Sequence, residues 1–129
     1  MPSAAFILLV ISVAAAQEGH PLVGSWHGDR GNGPGNRLDV TVVMDWDGKL
    51  VTGIVNPGYN QMALQNAKLN PANWTVHFEV DLKDATGKVV RCLVDGKLDK
   101  LGSDRRTLTG TWNCGGSNRD FKLTRDRDY

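Results

Sequence analysis

The chain lacks three features that assign a function to many proteins: a C-x-x-C pair, a basic stripe and a helical repeat of apolar residues. Its two cysteines, Cys92 and Cys114, lie far apart, without the spacing of a redox or zinc motif. Its 15 basic and 14 acidic residues are interspersed along the chain and leave a formal net charge of +1. We therefore expect no binding of nucleic acid and no attraction to an anionic membrane surface.

Only one long apolar run is present, at residues 4–16. It carries no charge and ends with Ala14 and Ala16 in an A-x-A arrangement. Since a membrane-spanning helix needs about 20 apolar residues, we predict a secretory signal peptide over residues 1–16 and a single domain over residues 17–129. The alternative is a buried N-terminal strand or helix. Cleavage would leave a secreted or periplasmic chain with no membrane attachment, in which a cysteine pair is expected to form a disulfide.

Apolar and polar residues alternate through most of the remaining sequence, between short segments rich in glycine and other turn residues. This pattern is typical of short antiparallel strands. Residues 60–70 can also be read as a short helix, but a strand with a bulge fits their position among strands better. We predict eight strands, at about residues 22–28, 37–46, 49–56, 61–69, 73–81, 88–98, 107–114 and 119–125.

One strand pairing is predicted from a turn signal. The dipeptide Asp47-Gly48 favours a two-residue hairpin, because glycine tolerates a positive φ. Folding there would place Trp46 opposite Lys49 and Met44 opposite Val51.

A second pairing connects the two cysteines. If Asp99 faces Thr107 across a hairpin, Cys92 faces Cys114 on the apolar side of the sheet. Directly opposed side chains in an antiparallel pair lie within bridging distance. We therefore predict a structural disulfide between Cys92 and Cys114.

The predicted strands form an all-β fold, an eight-stranded antiparallel up-and-down β-barrel. Closure into a barrel buries the apolar face of the sheet and removes its edges. Such an interior is just wide enough for side chains or for one small ligand. Arg125 is the one charged group that we expect inside. The inward face supplies candidate ligand-binding residues, namely Trp26, Met44, Trp74, Phe78 and Trp112, and the favoured alternative is that they form a filled core.

Two short motifs carry a family resemblance. Gly24, Ser25 and Trp26 form a G-x-W motif on the first strand, and Arg125 lies on the last. In these residues the chain resembles the lipocalin-like, or calycin, small exported barrel domains of bacterial type. The resemblance implies that Arg125 packs across Trp26 and closes one end of the barrel, a cation–π contact worth about 0.5–2 kcal/mol. The inward-facing Gly24 is expected to relieve crowding beside a tryptophan or to allow the sharp coiling of a barrel strand.

No catalytic or metal-binding set can be assembled from the sequence. Ser25, Ser103 and Ser117 lack a nucleophile-elbow context, and His27 and His77 fall on the outward face. The segment 45–48 mimics part of a calcium loop but lacks the closing glutamate. We therefore expect no enzymatic activity, no metal and no cofactor.

These observations lead us to expect an exported, non-enzymatic binding module. It would hold a small apolar ligand in the barrel or bind a protein partner through the loops at its open end, of which residues 27–37 form the longest. The alternative is a periplasmic protein-interaction module, such as a protease inhibitor of calycin fold that acts through an N-terminal tail. We expect a monomer.

Overall fold

The computed structural model describes residues 20–58 and 60–127, which form strands and turns with no helix among them. The predicted signal peptide, residues 1–16, lies outside the described residues, so that it and the start of the domain stay predictions. The strands are β1 (Gly24–Asn32), β2 (Asn36–Trp46), β3 (Val51–Val55), β4 (Met62–Ala63), β5 (Gln65–Asn70), β6 (Thr75–Lys83), β7 (Val89–Asp99), β8 (Thr107–Cys114) and β9 (Ser117–Arg125).

The strands form one antiparallel, up-and-down sheet that curls into a nearly closed barrel. Its order is β4-β3-β2-β1-β9-β8-β7-β6-β5, so the first and last strands of the chain are hydrogen-bonded neighbours. The two outermost strands, β4 and β5, are separated in sequence only by Leu64. The Leu64 amide donates to the Gly53 carbonyl across 2.9 Å, which helps to hold this seam together.

The sheet has nine strands, and the prediction of eight is wrong because the strand expected at residues 61–69 is two strands. β4 pairs with β3, whereas β5 pairs with β6 on the other side of the seam. A register irregularity between Gln65 and Lys68 and a positive φ of 51° at Asn66 mark a bulge there. The interpretation of this segment as bulged strand rather than helix is confirmed.

The β2–β3 hairpin has a longer turn than the sequence predicts. Trp46 faces Val51 and Met44 faces Gly53, a shift of two residues from the predicted register. The cause is the Asp47 carboxylate, which accepts hydrogen bonds from the amides of Lys49 at 2.8 Å and Leu50 at 2.7 Å. Because side chains alternate with a period of two, the shift leaves the same residues facing inward.

The β7–β8 pairing agrees with the prediction. Asp99 faces Thr107 and Cys92 faces Cys114. The two cysteines form a disulfide, with Cα atoms 4.2 Å apart. No helix among the described residues is long and apolar enough to cross a membrane.

A packed core fills the barrel. Its largest buried side chains include Trp26, Phe78 and Trp112, which are 0–2% exposed. Phe78 and Phe121 both meet Trp112 edge-on, at centroid distances of 5.7 and 5.8 Å. Such edge-to-face contacts add to the free energy of apolar burial and fix the orientation of the rings.

One end of the barrel, which we call the closed end, is covered by residues 20–23 and 100–106. Leu22 is buried there, and its carbonyl accepts a hydrogen bond from Trp26 Nε1 across 2.9 Å. Arg125 lies opposite Trp26, and its guanidinium donates to the carbonyls of Val23 and Asp104 at 2.7 and 3.1 Å. Gly24 has a φ of 134°, and a Cβ there would lie 2.7 Å from Arg125 Nε. Arg125 therefore occupies space that any other residue at position 24 would need.

Candidate ligand-binding site

The candidate ligand-binding residues belong to the core or to its margin. Trp26, Met44, Phe78 and Trp112 are buried in one hydrophobic cluster. Trp74 is partly buried and lies outside β6, in a turn with a φ of 58°, so its predicted place within a strand is wrong. Its carbonyl accepts the Leu98 amide across 2.8 Å, which ties this turn to β7. A ligand-binding role for these residues stays a prediction.

Little free space remains between the core side chains. A recess of about 10 Å³, which we call the inner recess, lies between Val40, Val55, Val80 and Trp112. A cavity needs roughly 10–15 Å³ to hold one water molecule. The inner recess is therefore too small for an organic ligand unless the core rearranges.

A much larger opening lies at the end of the barrel opposite the closed end. This opening, which we call the mouth cleft, has a volume of about 650 Å³. It is surrounded by the ends of β1, β2, β6, β8 and β9. The side chains that give it its character are Arg30, Arg37, Leu38, Leu82, Ser117 and Arg119.

Arg30 separates the mouth cleft from the inner recess and lines both. Since Trp26 faces inward, the alternation of β1 turns Arg30 inward as well. Its Cζ atom lies 5.3 Å from the centroid of the Trp112 ring, a cation–π contact. Burial lowers the pKa of the Arg30 guanidinium, and the positive charge of Arg119 lowers it further.

Arg119 is the second cation of the mouth cleft. It lies opposite Trp112 on β9 and shares the inward face with Phe121, two residues along the strand. No carboxylate among the residues that the structure describes lies within ion-pair distance of Arg30 or Arg119. At the rim, by contrast, Arg37 pairs with Asp29 at 2.7 Å and with Asp120.

Apolar side chains complete the mouth cleft. Leu38 lies on the inward-facing side of β2 but beyond the core, so 57% of it is exposed. Leu82 holds the equivalent position on β6 and is partly buried. The cleft therefore combines cationic hydrogen-bond donors with an apolar surface.

The prediction that Arg125 is the one inward-facing charge is wrong, because Arg30 and Arg119 also face the interior. The period of two that places Trp26 and Phe121 inward would have identified them, but the predicted strand boundaries excluded Arg30. β1 continues to Asn32 and β2 begins at Asn36. The long loop expected at residues 27–37 is thus a tight turn at residues 33–35.

A polar network covers the outer face of β6 and β7. His77 contacts Asp95 through Nδ1 and Glu79 through Nε2, each at 2.7 Å. Hydrogen bonding to Glu79 and then to Asp95 raises the pKa of His77, in spite of partial burial. Hydrogen bonds from His77, Arg91 and Asn66 lower the pKa of Glu79 to about 2. The described residues contain no group of three or more His, Cys, Asp or Glu side chains positioned to hold a metal ion.

No protein-family model, curated protein or solved structure matches this chain. The mouth cleft offers positive charge and N–H donors from arginine beside apolar surface. Among the described residues, its lining contains no histidine and no carboxylate, the groups that most often transfer protons in enzymes.

Proposed function

We propose that the chain is an exported, non-enzymatic binding module of calycin type, which takes a small ligand in the mouth cleft rather than inside its barrel. The observation that carries this proposal is the contrast in free volume, about 650 Å³ in the mouth cleft against about 10 Å³ in the inner recess. Small-molecule sites usually have volumes of roughly 300–1,000 Å³. The mouth cleft falls within that range.

The calycin assignment is supported by the closed end of the barrel. There the G-x-W tryptophan, Trp26, lies opposite Arg125 on the last strand, and both are buried. Export is supported by the disulfide between Cys92 and Cys114, since structural disulfides persist in oxidising compartments. The apolar segment 4–16 supports it independently.

The second function considered from the sequence, a protease inhibitor acting through an N-terminal tail, has less support. Leu22 is buried, and Trp26 Nε1 and Arg106 donate to the carbonyls of Leu22 and Pro21. Residues 21 and 22 are therefore part of the closed end.

The test is an NMR titration of the disulfide-bonded protein with three eight-carbon amphiphiles: octanoate, octanol and octylammonium. At least one of them should shift backbone amides around Arg30, Leu38 and Leu82. Leu38→Asp should weaken this binding at least tenfold. Leu50→Asp is the matched control, because Leu50 is 62% exposed but lies in the β2–β3 turn at the other end of the barrel. Shifts confined to the closed end, or none with any amphiphile, would refute the proposed function.

A further inference from the structure

We infer that the ligand of the mouth cleft is a small amphiphilic anion, whose oxyanion group binds between Arg30 and Arg119 and whose apolar part lies on Leu38 and Leu82. This inference rests on the proposed function and adds the chemical class of the ligand. The headgroup can be a carboxylate, a sulfate or a phosphate, because all three are oxyanions that accept hydrogen bonds from arginine. The apolar part of the ligand stays outside the barrel.

Two arginines of the mouth cleft, Arg30 and Arg119, differ from the other arginines of the barrel in their polar contacts. The other buried or partly buried arginines of the described chain each have at least one polar partner: Arg37 pairs with Asp29 and Asp120, Arg106 donates from its Nη1 to the Pro21 carbonyl although its buried Nε has no partner, and Arg125 donates to backbone carbonyls.

Arg30 and Arg119 have no such partner among the described residues, and the positive charge of Arg119 raises the electrostatic cost of keeping Arg30 charged. Burial removes part of the water around the Arg30 guanidinium, and a nearby opposite charge offsets the cost of such partial desolvation. An anion bound between these two side chains would supply the missing counter-charge.

The Arg30 side chain is held in position before a ligand binds. The Trp112 ring lies against the Arg30 guanidinium, and Phe78 and Phe121 hold that ring edge-on from two sides. This packing restricts the arginine before any ligand arrives, so that less conformational entropy is lost on binding. A planar guanidinium presents paired N–H donors that match an oxyanion, and charge-assisted bonds of this kind are stronger than neutral ones.

The filled core limits where the apolar part of the ligand can lie. The core below Arg30 is filled, so an alkyl chain has no path into the barrel. Leu38 and Leu82 offer it a surface at the mouth instead. Beyond the rim, Asp29 and Asp120 accompany Arg37, so selection for an anion is strongest between Arg30 and Arg119.

Calorimetric and NMR titration of the full disulfide-bonded chain tests this inference. Octanoate and octyl phosphate should bind at the mouth cleft at least tenfold more tightly than octanol or octylammonium, and their relative affinities identify the preferred headgroup. Inorganic phosphate should bind at least tenfold more weakly than octyl phosphate. From hexanoate to decanoate the affinity should rise less than the about fourfold per methylene expected for full burial of the chain.

Arg119→Gln is the variant of choice, because Arg30 also packs on the core and its replacement can disturb folding. It should weaken octanoate binding at least tenfold, while Arg119→Lys keeps the charge and should recover part of the loss. Arg105→Gln is the control, since Arg105 is exposed in the turn at the closed end, and it should change the affinity less than twofold.

Two results would overturn the inference and leave the proposed function intact. The first is binding of octanol or octylammonium at the mouth cleft as tightly as octanoate. The second is unchanged octanoate binding by Arg119→Gln. Equal affinity for inorganic and octyl phosphate would refute the amphiphilic part of the inference. Failure of every ligand to perturb the mouth cleft would instead refute the proposed function itself.

Discussion

At the scale of single residues, the close approach of neighbouring strands depends on glycines that leave no room for a side chain. Gly110 on β8 lies opposite Gly96 on β7. A Cβ built on Gly110 would lie 2.0 Å from the Asp95 carbonyl oxygen and 2.6 Å from the Gly96 Cα. Both obstacles are backbone atoms, so no side-chain rotation can relieve the clash.

We therefore predict that Gly110→Ala lowers the free energy of unfolding by about 3 kcal/mol or more, the upper range for overpacking. The measurement is urea denaturation followed by tryptophan fluorescence. Gly102→Ala is the control, because a Cβ there meets nothing within 4 Å, and it should change stability by less than about 0.5 kcal/mol. Equal stability of the two variants would show that β7 and β8 are not as close as the structure places them.

The arginines of the mouth cleft show at the same scale what sequence reasoning missed. The alternation of apolar residues correctly predicts Trp112 and Phe121 as core residues. The same rule turns Arg30 and Arg119 inward, but Arg30 lies beyond the predicted end of the first strand and Arg119 is the first residue of the predicted last strand. Neither arginine has a carboxylate partner among the described residues. This depends on which side chains the distant strands place nearby, and a single sequence does not show that.

At the scale of elements, the outer face of β5–β7 carries a network in which His77 is held between two carboxylates. Arg91 extends it by donating to Glu79 at 2.8 Å and by pairing with Asp81. A raised pKa for His77 means that its stabilisation is complete below the ordinary value of 6.5 and is lost as pH rises through the folded-state value. The lowered pKa of Glu79 means that its stabilisation is complete above 4.5 and is lost as pH falls towards about 2.

We predict from these directions that the network stabilises the fold most between about pH 4.5 and 6.5. NMR titration of the His77 imidazole should give a pKa above 6.5. Glu79→Gln should lower that pKa more than Asp95→Asn does, because the hydrogen bond to Glu79 is the larger cause of the shift. A pKa at or below 6.5 in the unmodified chain would contradict the network.

Turns were the least predictable elements. Asp47-Gly48 was correctly identified as a hairpin signal, but the sequence does not show that the Asp47 side chain accepts amide hydrogen bonds and lengthens the turn by two residues. The disulfide was predictable because its register follows from alternation and from the Asp99–Thr107 pairing. Local patterns thus predict which residues face inward better than they predict where strands end.

At the scale of the whole molecule, the pairing of β1 with β9 creates the barrel. Sequence patterning predicts an up-and-down sheet and argues for closure, because closure removes the edges. It does not locate the seam, which lies between β4 and β5 rather than between the first and last strands. The position of the seam depends on which of residues 62–70 pair with β3 and which pair with β6. Local sequence patterns do not determine this choice.

The division between a filled interior and an open mouth is likewise a property of the whole barrel. Each strand contributes inward side chains. Whether these side chains together fill the interior is decided only when all the strands are assembled. The sequence left a pocket and a filled core as alternatives, and the packing of Phe78 and Phe121 against Trp112 fills the centre. Free space remains at the mouth cleft, and the proposed ligand site lies there.

The measurement that tests this account most directly is a set of intermolecular nuclear Overhauser effects between bound octanoate and the methyl groups of the protein. We predict contacts from the octanoate methylenes to Leu38 and Leu82, and none to Met44 or Val42, which are 0–1% exposed inside the barrel. Contacts to Met44 and Val42 would show that the ligand enters the interior and would contradict the assignment of binding to the mouth cleft.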